Sequence, residues 1–221
     1  MRRMIKTSIF KKVVVAFAGS LLCVFAIFHL AGNLLLLVSA EAFNRYSEVL
    51  ISNPFIYLAE ILLLLIVLTH IFLGLRLQLE NYRARPQKYQ LRKHSGHSAT
   101  FASSTMPYTG TILLVYLFFH IWHLKFGAYY GITYDGIEIR DIQRLVIEYF
   151  ANPLTVGLYL IAMAAFGVHL SHGFWSIFQT IGFNHVKYTA MLKRNSIIFG
   201  VVMTIGFSIL PIWAYLLGVA S

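Results

Sequence analysis

The chain has 221 residues, of which 58% are apolar and only 12% charged, and it carries a net charge of +10. A soluble domain usually carries about 25% charged residues, so the composition excludes an ordinary soluble domain and points to an integral membrane protein. One cysteine, Cys23, excludes an intrachain disulfide and a thiolate metal site.

Five apolar runs are long enough to cross a ~30 Å hydrocarbon core as helices. They are 13–39, 54–79, 105–124, 153–179 and 196–219. The expected fold is all-α, a single transmembrane domain over 1–221 built as a five-helix bundle. The first run follows Arg2, Arg3, Lys6, Lys11 and Lys12, flanks that a signal peptide also carries. It is too long for the apolar core of a leader, and no small-residue cleavage site follows a short core, so it reads as a retained span. It holds Cys23, read as a packing residue, and His29.

The second run opens on Asn53-Pro54, holds Glu60, His70 and Gly74, and is followed by Arg76. The connection 80–104 is polar and basic, with room for a short surface helix; its His94 and His97 read as solvated. The third run ends in "FFHIWH", which contains His120 and His123. In the connection 125–152, Gly131 and Asp135-Gly136 mark turns. From 137 to 150 the apolar residues recur at helical spacing, which predicts a short interfacial helix.

The fourth run opens on Asn152-Pro153 and contains "GVHLSHGFWS", with His169, His172 and Gly173. Asparagine is a good helix N-cap and proline suits the first turn, so both Asn-Pro pairs read as helix starts. His185 and the basic residues Lys187, Lys193 and Arg194 lie in a polar connection before the fifth run.

The distribution of charge predicts orientation. The N-terminus, the segment 76–93 and the segment 187–194 hold five, six and three of the 18 Lys and Arg; the other four are Arg45, Lys125, Arg140 and Arg144. That asymmetry is the positive-inside pattern. It predicts a cytoplasmic N-terminus and an outer C-terminus. The basic balance is thus a topology signal, not a sign of nucleic-acid binding.

Six histidines lie in or at spans: His29, His70, His120, His123, His169 and His172. One intramembrane histidine is readily a packing residue. Four helices that each contribute one point instead to metal or haem ligation in a bundle core. Depth sorts them. His70 and His169 each lie sixteen residues past the proline that opens their run, ~24 Å from the outer end at 1.5 Å per residue. His29 lies seventeen residues past Lys12, ~25 Å from the inner end, and His120 is five residues before Lys125. The expected pairs are therefore His29 with His120 in the outer half and His70 with His169 in the inner half. Two bis-histidine haems fit this arrangement, since neutral imidazole is a common haem ligand. Zinc would want three or four ligands together.

Gly74 and Gly173, each four residues after its histidine, share the histidine's helix face and leave a notch beside it. His123 lies at the outer interface, where snorkelling, a propionate and a quinone are alternatives. His172 is one turn further inward, where a propionate and a packing neighbour are alternatives. Glu60, six residues past Pro54, is a functional candidate as an intramembrane acid, for quinone binding or proton transfer. Its other reading is a protonated group bonded to a neighbouring helix.

Together, "FHLAGN", "NPFIYLAE", "LTHIFLGLRL", "FFHIWH" and "VHLSHGFWSIFQTIG" resemble the single-chain dihaem cytochrome b membrane subunits of bacterial succinate dehydrogenases and fumarate reductases. The likeness runs through all five spans. It implies a multi-pass subunit of the bacterial cytoplasmic membrane that anchors a flavoprotein and an iron–sulfur protein at the cytoplasmic face. It implies two haems b and electron transfer to or from a quinone, usually menaquinone, in the respiratory chain. By motif position it makes His70 and His169 the proximal ligands and His29 and His120 the distal ones. Glu60 matches an acid found in parts of the family near the distal quinone region. Some fumarate reductases carry a second acid two residues before the later proximal ligand; here that position is Gly167. This chain has no flavin or iron–sulfur motif of its own. Arg76, Lys193 and Arg194 are expected near the proximal propionates. Two other readings remain at this point: a dihaem subunit serving a hydrogenase or formate dehydrogenase, and a haem-free transporter or scaffold.

Overall fold

The computed structural model describes residues 7–84, 101–183 and 185–220. It is helical apart from one small hairpin. The order is α1 (Ser8–Asn33) with a 3-10 extension (Leu34–Leu37), α2 (Ala40–Ser52), α3 (Ile56–Arg83), α4 (Phe101–His120) with a π-helical end (Ile121–Lys125), β1 (Gly131–Tyr134), β2 (Ile137–Arg140), α5 (Ile142–Phe150), α6 (Pro153–Thr180) and α7 (Val186–Ala220).

Four helices are long and apolar enough to cross a membrane among the described residues: Ser8–Leu37, Ile56–Arg83, Pro153–Thr180 and Val186–Val219. The expected fifth span, 105–124, is not among them. It is helical as α4, but its first half, FASSTMPYTG, is largely polar and only the second half is strongly apolar. Three other boundaries shift. The basic segment 187–194 is not a connection but the start of α7. Residues 80–83 belong to α3 and Ala84 caps it, while 85–100, with His94 and His97, lies outside the described residues. The segment 137–150 is not one helix: a strand, Ile137–Arg140, precedes α5.

The two Asn-Pro pairs also differ. Asn152 caps α6 as expected, accepting from Leu154 N at 2.9 Å with Pro153 in the first turn. Asn53 instead follows the last residue of α2, and Pro54 lies in the turn before α3 begins at Ile56.

α6 is central and packs against α7, α4 and α1, while α3 packs on α1. The α6–α7 contact is close because both helices are small there. A Cβ on Gly200 would stand 2.5 Å from Gly167 O, and Thr204 Oγ1 donates to Met163 O at 3.1 Å. Small residues of this kind let membrane helices approach. α3 has no buried residue at all; side chains such as Phe72, 64% exposed, form an apolar outer surface suited to lipid.

One end of the bundle is capped by α2, the hairpin and α5. An apolar core of Leu36, Phe43, Val146, Phe150, Val156, Tyr159, Leu210 and Ala214 fills it. The hairpin turns at Asp135-Gly136, both with positive φ (51° and 77°), the requirement of a two-residue type I′ turn. Asn44, fully buried, ties α2 to α5. Its Nδ2 donates to Asp141 Oδ1 at 2.9 Å, and its Oδ1 accepts from Ile142 N and Gln143 N at 3.0 and 3.1 Å. Asp141 in turn caps α5 by accepting from Arg144 N. The opposite end carries the basic residues. There Lys11, 6% exposed, pairs with Glu80, which also accepts from Arg76 Nε at 3.1 Å.

Candidate functional site

Four histidines from four helices meet two by two inside the bundle. His29 lies four residues before the end of α1 and His120 ends α4; their ring centroids are 5.9 Å apart, at an interplanar angle of 84°. His70 on α3 and His169 on α6 have centroids 6.2 Å apart, at 65°. The first pair lies toward the capped end and the second toward the basic end. These are the pairs that depth along the helices predicts.

The hydrogen bonds of all four rings, among the described residues, are made through Nδ1. His70 Nδ1 lies 3.3 Å from Val15 O. His169 Nδ1 lies 3.2 Å from Thr109 Oγ1. His120 Nδ1 is 3.3 Å from the Tyr116 hydroxyl and 3.5 Å from that of Tyr159. Asn33 Nδ2, donating to His29 O at 2.7 Å, is 3.4 Å from His29 Nδ1. Nδ1 is thus occupied by the protein on every ring.

The two pairs are lined differently. The rings nearer the basic end are backed by glycine: a Cβ on Gly19 would stand 3.3 Å from His70 Cε1, and one on Gly110 would stand 3.5 Å from His169 Cε1. The rings nearer the capped end are backed by aromatic side chains. Phe25 stacks on His29 at 5.2 Å, Phe207 lies 6.0 Å from it, and Tyr116 lies 5.4 Å from His120. Gly74 and Gly173, expected to leave notches, do face open space, with nothing within 4 Å of a Cβ on either. The glycines in contact with the imidazoles are Gly19 and Gly110, which sequence spacing did not single out.

The remaining candidates have partners of their own. His123 Nδ1 donates to Phe119 O at 2.9 Å, and its ring stacks on Tyr149 at 4.8 Å. His172 Nε2 is 3.0 Å from Ser176 Oγ. Arg76 is held by Glu80. Glu60 is not an isolated acid: it is ion-paired with Lys125, at the end of α4, and both side chains are about half exposed. Gly167 is filled from outside, since a Cβ there would stand 2.0 Å from Thr204 Oγ1. The α6–α7 contact therefore has no room for an acid at that position.

Among the described residues there is no group of three or more His, Cys, Asp or Glu close enough to share a metal ion. Each level offers two imidazoles only. Two imidazoles that each bound one metal through nitrogen at ~2 Å would have ring centres ~6 Å apart. Both observed spacings suit that arrangement. The Nδ1 contacts of His70, His169 and His120, each to an oxygen that can accept, suit it as well, because a ligating histidine usually donates from its other ring nitrogen to the protein; at His29 the neighbour of Nδ1 is the Asn33 amide nitrogen, which only donates.

The arrangement defines a class: a multi-pass helical membrane bundle with paired histidines from facing helices. Within that class, the chain is similar to the succinate dehydrogenase cytochrome b558 subunit of Bacillus subtilis (strain 168). The two are 26% identical over 160 residues, which cover 72% of each chain. No protein-family model and no solved structure matches the chain.

Proposed function

We propose that this chain is the cytochrome b membrane subunit of a succinate:quinone oxidoreductase, a succinate dehydrogenase or fumarate reductase. In this role it anchors a flavoprotein and an iron–sulfur protein and holds two haems b between them and the quinone. The observation that carries the reading is the pairing of His29 with His120 and of His70 with His169, at centroid spacings of 5.9 and 6.2 Å. The likeness to a cytochrome b558 subunit supports it. So does the basic end of the bundle, which in the positive-inside orientation faces the cytoplasm, where soluble partners dock. In that orientation α4 crosses with the other four helices, its polar half near the inner surface.

Bound haem supplies one-electron redox chemistry. The residues of this chain bind and orient it. His70 and His169 would hold one haem on the proximal level, and His29 and His120 the other on the distal level. Open space beside Gly74 and Gly173 leaves room for a flat ring near the proximal level. The apolar core at the capped end keeps water from the distal level. Glu60, paired with Lys125 at the outer end of α3 and α4, is placed to exchange a proton with a quinone at that surface.

A reduced-minus-oxidised spectrum of the purified complex tests the reading. The expected result is b-type bands and two haems per chain. His70→Ala and His169→Ala should each remove one haem, and His29→Ala and His120→Ala the other. Absence of b-type bands, or loss of a haem in His172→Ala with both retained in His169→Ala, overturns it.

A further inference from the structure

We infer that Thr109 is a positioning residue that fixes the proton of His169 on Nδ1 and so holds Nε2 as the ligating atom; this rests on the haem reading proposed above. Thr109 is buried, 7% exposed. A threonine hydroxyl has one proton to donate and two lone pairs to accept with. Thr109 Oγ1 has two carbonyl acceptors in its own helix, Thr105 O and Met106 O, both at 3.2 Å, and one proton to share between them. With that proton shared there, the oxygen accepts from His169 Nδ1, at 3.2 Å; the imidazole then brings the proton, and its Nε2 is left with a free lone pair.

His70 supports the same conclusion independently. Its Nδ1 faces Val15 O at 3.3 Å, and a peptide carbonyl only accepts. Both rings of this pair are thus locked in the tautomer that a metal needs, one by a main-chain carbonyl and the other by a side chain that mutation can remove. The distal pair is built otherwise: His120 faces two tyrosine hydroxyls, either of which can donate or accept. Thr109 also precedes Gly110, which borders the ring edge of His169: a Cβ there would stand 3.5 Å from Cε1, in van der Waals contact. One short stretch of α4 therefore both borders the ring and sets the tautomer of a ligand on α6.

Hydrogen bonding at Nδ1–H makes a histidine a more basic ligand, which favours the oxidised metal. Thr109→Val keeps the shape and removes the acceptor. In the purified complex, a redox titration followed optically should show the midpoint of one haem raised and that of the other unmoved. Electron paramagnetic resonance should show a shifted low-field signal for the same haem only. Thr109→Ser, which restores an acceptor, should return both readouts to the parent values. If Thr109→Val does not accumulate, Thr109→Cys places a weaker acceptor at the site, with the same expected sign. Two haems present with both midpoints unchanged in Thr109→Val overturns the role of Thr109 while leaving the haem reading intact. Absence of haem from the parent complex overturns both.

Discussion

The two histidine pairs occupy one bundle but are held in opposite ways. The pair toward the capped end sits beneath a built lid. Aromatic rings stack on it, and Tyr116 and Tyr159 face His120. Tyr159 is itself part of the apolar core under α2 and α5. The pair toward the basic end has no lid among the described residues. His70 rides on α3, a helix with no buried residue that packs on α1, and its ring is accommodated by Gly19. One site is therefore enclosed by large side chains that fill space, and the other by small ones that leave it. Enclosure of the first kind depends on the stability of the cap. Enclosure of the second kind depends on the absence of a few methyl groups.

The largest expected effect comes from breaking the lid. Asn44→Leu keeps the branched shape but removes all three hydrogen bonds that Asn44 makes to α5 and Asp141. It leaves two backbone N–H groups and a carboxylate oxygen without that partner. An unsatisfied buried group costs about 1–3 kcal/mol, so a total of about 3–5 kcal/mol is expected. The predicted readout is faster hydrogen exchange across residues 131–150. It should come with loss or broadening of the spectral bands of the haem held by His29 and His120, and little change at the other. Equal loss of both haems would show that the cap supports the bundle as a whole.

The opposite end gives the next effect. Gly19→Val adds a branched side chain where a Cβ alone would stand 3.3 Å from His70 Cε1. Overpacking of this kind costs about 1–3 kcal/mol, and α3 can move outward to relieve it because little packs on its far side. The predicted result is loss of the haem held by His70 and His169, with the other retained and the protein still present in the membrane. Haem content after purification measures it.

The difference between the ends also explains what could be read from sequence. The histidine pairs were legible because a helix converts residue number into depth, and depth needs no knowledge of which helices touch. Tyr116 and Asn33 were within reach for the same reason, each lying four residues from its histidine on the same face. Gly19, Thr109 and Tyr159 were not, because each meets a ring from another helix. The lid was the least legible part. α2 is short and mixed in polarity, and what holds it is Asn44, whose partners lie almost a hundred residues later. Asp135-Gly136 signalled a turn, and alternation in Ile132, Tyr134, Ile137 and Ile139 could have made it a hairpin. The helical spacing of 137–150 concealed the break at Asp141. The long apolar runs were found because lipid tolerates no other pattern. The polar first half of α4 is where that signal weakens.

The smallest effect tests the surface of the lid through pH. Glu148 on α5 accepts from the Tyr130 hydroxyl and from Arg144 Nε, the latter at 2.8 Å. The hydrogen bond from Tyr130, then that from Arg144, holds its carboxyl below the ordinary glutamate range. A depressed folded value means that the ionised form is favoured by folding. The contribution is complete at and above about pH 5, where the unfolded carboxylate is also ionised. It is lost as pH falls below that, through the folded value. Glu148 is exposed, so the effect is confined to local opening of the loop and α5 and is weakened by salt. Protection of amides in 131–150 should therefore be flat down to about pH 5 and fall below it. In Glu148→Gln that fall should be reduced, with both haem spectra unchanged over the same range. An undiminished fall in the variant would assign the acid sensitivity of the lid to another carboxylate, and Asp141, which caps α5 and binds Asn44, would be the next to substitute.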